Sequence, residues 1–389
     1  MEGAIPASGR SAGPGMRATW TGFAYLSVWG YVLYGLGNAT PYLRADLVLT
    51  DFQAGLHASA LAVGVLLAGV GADRVARLVG SHWLLDLAVA CLVTAIGLVV
   101  LAPNLPVSLS GALLIGFGGG LLGTDINVRL IRPDGVETRR VMGQANALSM
   151  VTAAAAPVAI GLAVAGLHAW RLALLLPVAA FLALTVLRPR SSEERTSVRP
   201  PSVRLPSAYW FAWLLLVLGV SIEFSFVFWG STIVANRTGL SSADATLLAS
   251  LFVAGMFTGR AAVGRGVGAG RASRGILAAG LVVVLVGAGL MWVSTLPLLS
   301  GVGLFVGGLG LAPVWPVGLT VALQTAPAAP LSAAARSTLA SGTAVLLAPS
   351  ALGLASDFVG VAGAWPIILL LACAALVVLA VTPRVAAAT

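Results

Sequence analysis

Charge is scarce in this chain of 389 residues, and lysine is absent altogether. Only 9% of the residues are charged and 59% are hydrophobic, whereas soluble domains carry about a quarter charged residues. A chain of this composition could not cover a water-facing surface. Without lysine, the phosphate-binding motif Gly-xxxx-Gly-Lys-Ser/Thr cannot occur, which argues against ATP hydrolysis.

The chain also has little that could hold a metal ion or carry nucleophilic catalysis. Its two cysteines, Cys91 and Cys373, lie in apolar runs without metal-ligand spacing, and we interpret them as buried, reduced packing residues. The sequence contains no cluster of metal ligands and no Ser/His/Asp arrangement in a plausible context. We therefore expect no metal, no cofactor and no enzymatic activity.

Long hydrophobic runs dominate what is present. A run of about 20 apolar residues crosses a bilayer, and the chain predicts an all-α membrane protein with twelve transmembrane helices. We place these spans, numbered 1 to 12, at 19–42, 52–72, 81–101, 107–130, 141–165, 168–187, 208–234, 243–263, 274–294, 297–323, 333–355 and 364–382.

The arginines predict how these spans are oriented. An even number of spans places both termini on one side of the membrane. With that side in the cytoplasm, only three of the 22 basic residues face outward: Arg44, Arg171 and Arg237. Such a bias is the positive-inside pattern of a protein in the cell (inner) membrane with cytoplasmic termini. Because the basic residues are explained by topology, we predict no nucleic-acid partner.

A polar interruption at 188–207 divides the chain at its midpoint. It is rich in proline, serine and charge, as a solvated linker is. The predicted domains are a six-helix bundle at 19–187 and a second at 208–382, joined by this cytoplasmic linker. Residues 1–18 and 383–389 are predicted cytoplasmic tails.

A charged motif follows the second span and is repeated, in a decayed form, after the eighth. The first copy contains Gly69, Asp73, Arg74 and Arg77 in otherwise apolar sequence. The second copy contains Gly255, Gly259 and Arg260, about half the chain length further on. Two halves with related motifs indicate a duplication.

This motif, the two six-helix halves and the central linker resemble the major facilitator superfamily over nearly the whole chain. The motif departs from the family signature at Ala76, where glycine is usual. The resemblance implies a conformational latch that braces spans 2 and 11 on the cytoplasmic side, formed by Gly69, Asp73, Arg74, Arg77, Gly259 and Arg260. The alternative is that these charges anchor the loop to lipid headgroups.

Spans 4, 7 and 10 resemble the fucose permease-like branch of that superfamily. Span 4 carries glycines followed by Asp125 and Asn127, span 7 carries a glutamate ahead of a tryptophan, and span 10 carries a Gly-rich run before Trp315 and Pro316. The drug-antiporter pattern is weaker, since span 4 has no early arginine and span 5 no Gly-Pro. The branch implies uptake of a sugar-like or other polar solute. Proton-driven efflux of drugs or secondary metabolites remains the alternative.

Two acids within the spans are the candidate proton-coupling residues. An ionisable residue at membrane depth is costly and is a functional candidate by default. Glu223 lies near the middle of span 7 with no basic residue nearby in sequence, so it should take up a proton more readily than an exposed acid. Its alternative role is a neutral hydrogen-bonding group. Asp125 is the second candidate, with an i, i+4 pair to Arg129 as its structural alternative.

Polar and aromatic residues at similar depth complete the predicted site. Repeat alignment places spans 1, 4, 7 and 10 around the midplane, where sites of such transporters lie. The predicted substrate-binding residues are Tyr31, Tyr34, Asn38, Asn127, Trp229 and Trp315. Aromatic residues at helical spacing can instead serve packing. We expect a monomer whose partners are a small-molecule substrate, a proton and the lipid bilayer.

Overall fold

The computed structural model describes residues 16–80, 83–130, 135–188, 204–266 and 271–382. Most of the predicted linker and tails lies outside these ranges. The described helices are α1 (Met16–Leu47), α2 (Asp51–Val79), α3 (Leu84–Val100), α4 (Leu105–Leu130), α5 (Gly135–Leu167), α6 (Trp170–Leu187), α7 (Ser207–Thr238), α8 (Ser242–Gly266), α9 (Arg271–Val293), α10 (Pro297–Leu311), α11 (Val314–Gln324), α12 (Pro330–Ala364) and α13 (Pro366–Val381).

The described helices match the predicted spans one for one, with α10 and α11 together forming span 10. Nine helical segments in the described chain, with α10 and α11 counted as one, are long and apolar enough to cross a bilayer. The shorter α3 and α13 are also apolar, and α1 has 32 residues. We call α1–α6 the N-half and α7–α13 the C-half.

We name the two ends of the helix bundle. The terminal end is the end at which α1 begins and α13 ends, and the distal end is the opposite one. The charged motif of α2 lies at the terminal end. It forms the last helical turns rather than an interhelical loop, because α2 continues to Val79 and stops at Gly80, whose φ is 91°.

Span 10 is broken into α10 and α11 at Ala312 and Pro313. Pro313 and Pro316 have no backbone N–H, so the carbonyls of Leu309 and Ala312 lose their helical donors. The run of apolar residues predicted one continuous helix, and these prolines explain the difference. Neither the break nor its position is visible in hydrophobicity alone.

The two halves use the same close packing of helices. A Cβ at Gly116 of α4 would lie 1.9 Å from the carbonyl oxygen of Leu61 in α2, and one at Gly308 of α10 would lie 2.0 Å from that of Phe252 in α8. Small residues let backbones approach where lipid provides no hydrophobic drive. The equivalent pairs, α2 with α4 and α8 with α10, support the duplication.

The cysteines only partly follow the expectation. Cys91 is half-buried, whereas Cys373 is exposed on α13, so its description as a buried packing residue was wrong. The apolar run around Cys373 covers all sides of α13, and sequence alone does not say which side meets the core.

Candidate functional site

The two halves meet mainly in the distal part of the bundle. At the contact of α1 with α7, a Cβ on Gly37 would lie 2.6 Å from Val227. At the contact of α2 with α12, the Ser59 hydroxyl donates a hydrogen bond to the Leu346 carbonyl at 2.5 Å. Nearer the distal end, Tyr42 of α1 donates to the Ser242 carbonyl of α8 at 2.7 Å. These contacts close the distal side.

A polar cluster, which we call the distal gate, joins the halves at this end. It comprises Arg44, Asp51, Ser356 and Asp357. Asp357 of α12 accepts hydrogen bonds from the first two N–H groups of α2, those of Asp51 at 2.7 Å and Phe52 at 3.0 Å. Asp51 in turn accepts from Ser356 at 2.5 Å and lies 2.5 Å from the Arg44 guanidinium. An acid of the C-half thereby satisfies a helix N-terminus of the N-half.

Towards the terminal end the same helix faces separate. Leu66 still contacts Gly342, but a Cβ built one turn further on, at Gly69, meets nothing within 4 Å. On the facing helix Leu339 is exposed. Thr258, which continues the α5-facing side of α8, is exposed too. A cleft between the halves therefore opens to the terminal end.

Glu223 lies near the middle of α7, where that helix meets α1. It is 16 residues from the start of α7 and 15 from its end, about 23 Å from either end at 1.5 Å per residue. Tyr34 of α1 donates a hydrogen bond to Glu223 Oε1 at 2.5 Å. Both side chains are buried. The predicted acid and one predicted substrate residue thus form a bond that joins the two halves at mid-depth.

Asp125 has a different environment. Its carboxylate is fully buried in α4 and lies 2.6 Å from Nε of Arg129, which is the i, i+4 pair that the sequence offered as an alternative. Asp125 therefore has a counter-charge on its own helix. Glu223 instead receives its hydrogen bond from the other half.

Three predicted substrate-binding residues use their polar atoms in hydrogen bonds to backbone carbonyls. Tyr31 donates to the Ala173 carbonyl of α6 at 2.9 Å, and Trp229 donates to the Pro349 carbonyl of α12 at 3.0 Å. Asn38 donates to the Tyr34 carbonyl within α1 at 2.9 Å. The Trp229 bond lies beside the proline of α12 and fixes that segment against α7.

Two further predicted substrate-binding residues are less buried. Asn127 is exposed near the terminal end of α4, and Trp315 is half-buried in α11, just after the break in span 10. Neither is joined to Glu223 by a described contact. Of the six predicted substrate residues, Tyr34 alone touches the candidate coupling acid in the part of the chain that the structure describes.

The two copies of the charged motif occupy different environments. In the first copy, Arg74 and Arg77 are exposed and Asp73 is half-buried. In the second, a Cβ at Gly259 would lie 2.5 Å from Ala312 and 2.8 Å from the Leu309 carbonyl oxygen. Gly259 is thus part of the packing between α8 and α10, whereas Gly69 faces open space.

Sequence reasoning missed the distal gate. The sequence did not single out Asp357, although α2 carries a recognisable start signal, the capping box of Thr50 and Gln53. A helix start and an acid on the same side of the membrane were both visible. Their pairing was not, because Asp51 and Asp357 are 306 residues apart.

Proteins similar to this chain are found by comparison of structures and not by comparison of sequences. No protein-family model and no curated sequence matches the chain. A bacterial homologue of the human lysosomal transporter Spinster, in an inward-facing and unoccupied conformation, has a TM-score of 0.73 at 12% identity, covering 94% of this chain and 97% of that one. Its inward-facing and occupied structure has a TM-score of 0.72 at 12% identity, covering 96% and 98%.

A nucleoside transporter, NupG, is also similar, with a TM-score of 0.71 at 13% identity, covering 94% of this chain and 97% of that one. These similarities extend over at least 94% of each chain and include both halves. The fucose permease-like branch is not singled out by them. The chain has the major facilitator fold, that of an all-α membrane protein with twelve transmembrane helices in two six-helix bundles.

Proposed function

We propose that this protein is a secondary active transporter that moves a small organic solute by alternating access and couples it to a proton at Glu223. The observation that carries the proposal is the bond from Tyr34 to Glu223 across the two halves at mid-depth. Repeat transporters bind substrate and coupling ion at this place and rock their halves around it. The closed distal end and open terminal end match one state of such a cycle.

The proposed coupling follows from the chemistry of that bond. A charged carboxylate accepts a stronger hydrogen bond than a neutral carboxyl group does. Deprotonated Glu223 therefore holds Tyr34, and with it α1, against α7, and protonation weakens this contact between the halves. Proton binding and the movement of the halves become linked through one side chain.

We also propose the orientation that the arginines predict. If both termini are cytoplasmic in the cell membrane, the terminal end is the cytoplasmic end and the described conformation is inward-facing. The similarity to inward-facing Spinster-homologue structures supports this assignment. Asp73, Arg74 and Arg77 would then form a cytoplasmic latch that closes when the distal gate opens.

The direction and substrate class are part of the proposal. Uptake of a sugar-like or other polar solute by a monomer is favoured by the branch-like patterns in spans 4, 7 and 10. The paired acid Asp125 and the residues Asn127 and Trp315 are proposed to contribute to the pathway. One structural neighbour is a nucleoside transporter, and a nucleoside is a polar solute, which agrees with this proposed substrate class.

Transport into proteoliposomes tests this function. Wild-type protein should accumulate a member of a panel of sugars, nucleosides and aromatic carboxylates when a proton gradient is applied. Glu223→Gln should abolish that accumulation and retain exchange of the same solute, because a neutral side chain cannot carry the proton. Asp86→Asn is the control at an acid outside the predicted site, since Asp86 pairs with Arg188 within the N-half. Intact proton-driven accumulation in Glu223→Gln would show that Glu223 is not the coupling residue.

A further inference from the structure

Arg260 has a position that its place in the sequence motif does not suggest. It lies within the apolar span of α8, which runs from Ser242 to Ala262. Its Cα is 18 residues from the distal start of α8, about 27 Å along the helix, whereas Glu223 is about 23 Å from the distal end of α7. Side chains on a helix incline towards its N-terminus. The guanidinium therefore extends towards the level of Glu223.

The direction around α8 leads to the same place. Thr246, one turn into α8, contacts the Tyr42 hydroxyl of α1 at 2.8 Å. Arg260 follows Thr246 by 14 residues, about four helical turns, so both lie on the α1-facing side of α8. Consistent with this position, Arg260 and Glu223 both act electrostatically on Tyr34.

Arg260 is a partly buried arginine for which the described residues provide no partner. Within the same residues, ion pairs with carboxylates are formed by Arg44, Arg129, Arg171 and Arg188. Arg260 makes no ion pair with any described residue, and its Nε is buried without a hydrogen-bond partner in the described chain. A charged side chain at membrane depth is costly unless it is paired or faces a polar pathway. The half-buried Arg260 retains this cost in the described conformation.

We infer that Arg260 is the counter-charge for the substrate, and that the transported solute is an organic anion whose carboxylate or phosphate group pairs with this guanidinium. Arginine forms forked hydrogen bonds with both groups. The aromatic side chains beside the site suit an organic body, since Phe224 packs near Tyr34 with ring centroids 6.4 Å apart. The inference rests on the proposed transport function and narrows its polar solute to an anionic one.

Thermal unfolding of the purified protein without added ligand is the first test. Arg260→Gln should raise Tm by about 2 °C, because it removes a charge that has no partner. Arg129→Gln, the matched control, should lower Tm, because it removes an ion pair from the buried carboxylate of Asp125. A fall in Tm for Arg260→Gln similar to that of the control would mean that Arg260 is satisfied within the protein and would overturn the inference.

Ligand-induced stabilisation is the second test. Benzoate or phenyl phosphate should raise the Tm of the wild-type protein by mass action, while the neutral isostere benzamide should not. The effect should disappear in Arg260→Gln and persist in Arg204→Gln, a substitution of an exposed arginine just before α7. A rise in Tm with benzoate alone would identify a carboxylate as the preferred anionic group, and a rise with phenyl phosphate alone would identify a phosphate. Stabilisation by neither anion, or equally by benzamide, would overturn the inference.

These measurements are made at equilibrium and do not require transport. Glu223-dependent accumulation of a neutral solute, together with no response to anions, would refute the role of Arg260 and leave the transporter proposal intact. Conversely, Arg260-dependent anion binding without Glu223-dependent accumulation would support the site and count against the proposed coupling.

Discussion

At the scale of single residues, the chemistry of the site depends on which polar groups can face one another across the halves. Glu223 was recognisable from sequence because an acid without a basic neighbour interrupts an apolar run. Its partner was not specified, since Tyr31 and Tyr34 both stand on span 1 at similar depth. The structure separates them: Tyr34 bonds to Glu223 of the C-half, and Tyr31 bonds to α6 of the N-half.

This difference gives a matched pair of substitutions. Tyr34→Phe removes the donor of the hydrogen bond that joins Glu223 to the N-half. In proteoliposomes, proton-driven accumulation of solute should therefore fall, because the bond that the proposal links to proton binding is lost. Tyr31→Phe, which loses a hydrogen bond within the N-half, should reduce accumulation much less. An equal loss in both variants would show that the bond between Tyr34 and Glu223 has no particular part in coupling.

At the scale of helices, most of the architecture was predictable and its irregularities were not. Twelve apolar runs and a midpoint linker define the spans because the bilayer imposes length and hydrophobicity on each one. The break of span 10 required attention to the missing N–H groups of Pro313 and Pro316. The side of α8 that meets α10 was not predicted, although Gly255 and Gly259 stand four residues apart on one side of that helix and both pack against span 10.

The motif glycines of α2 and α8 should therefore respond differently to enlargement. Gly259→Val forces a side chain into Ala312 and the backbone of α10, and should cost about 1–3 kcal/mol of stability. Gly69→Val meets open space and should change stability by less than about 0.5 kcal/mol. Tm values of the two purified variants test this contrast.

The same pair also probes the proposed latch. Gly69→Val, and Asp73→Asn beside it, should shift the protein towards the terminal-open state, because the closed latch needs close approach at the terminal end of α2. Labelling of a cysteine introduced into the cleft should therefore increase in both variants. Labelling that is equally increased by Gly259→Ala would contradict the predicted asymmetry of the two motif copies.

At the scale of the whole molecule, the distal gate holds the two halves in one of their arrangements. Asp357 and Ser356 of α12 bond to the start of α2, so these bonds must break whenever the distal side opens. The acids, the arginine and the helix start are visible in the sequence, but their meeting is not. It depends on how the two bundles dock, and the residues that meet are far apart in sequence.

Asp357→Asn should weaken this arrangement. The change removes the negative charge that faces the N-terminus of α2, and the loss of charge-assisted bonds of about 1.5 kcal/mol would shift the equilibrium about tenfold towards distal opening. Distances between spin labels at 50 and 358, in a background with Cys91→Ser and Cys373→Ser, would report the shift. Asp244→Asn is the control, because Asp244 bonds to Ser241 within its own half. An unchanged distance distribution in Asp357→Asn would exclude the gate as a stabilising element.

If the protein alternates between two states as proposed, the distal gate should make that cycle depend on salt. Asp357 of the C-half faces the positive N-terminus of α2 across short distances while the distal side is closed, and dissolved ions take over part of that interaction once the halves separate. At 0.1 M ionic strength, charges more than about 10 Å apart are largely screened. Raising salt on the distal side should thus speed the step that opens the gate and slow its closure, so that ionic strength acts on the protein's two conformations even when the solute gradient is unchanged.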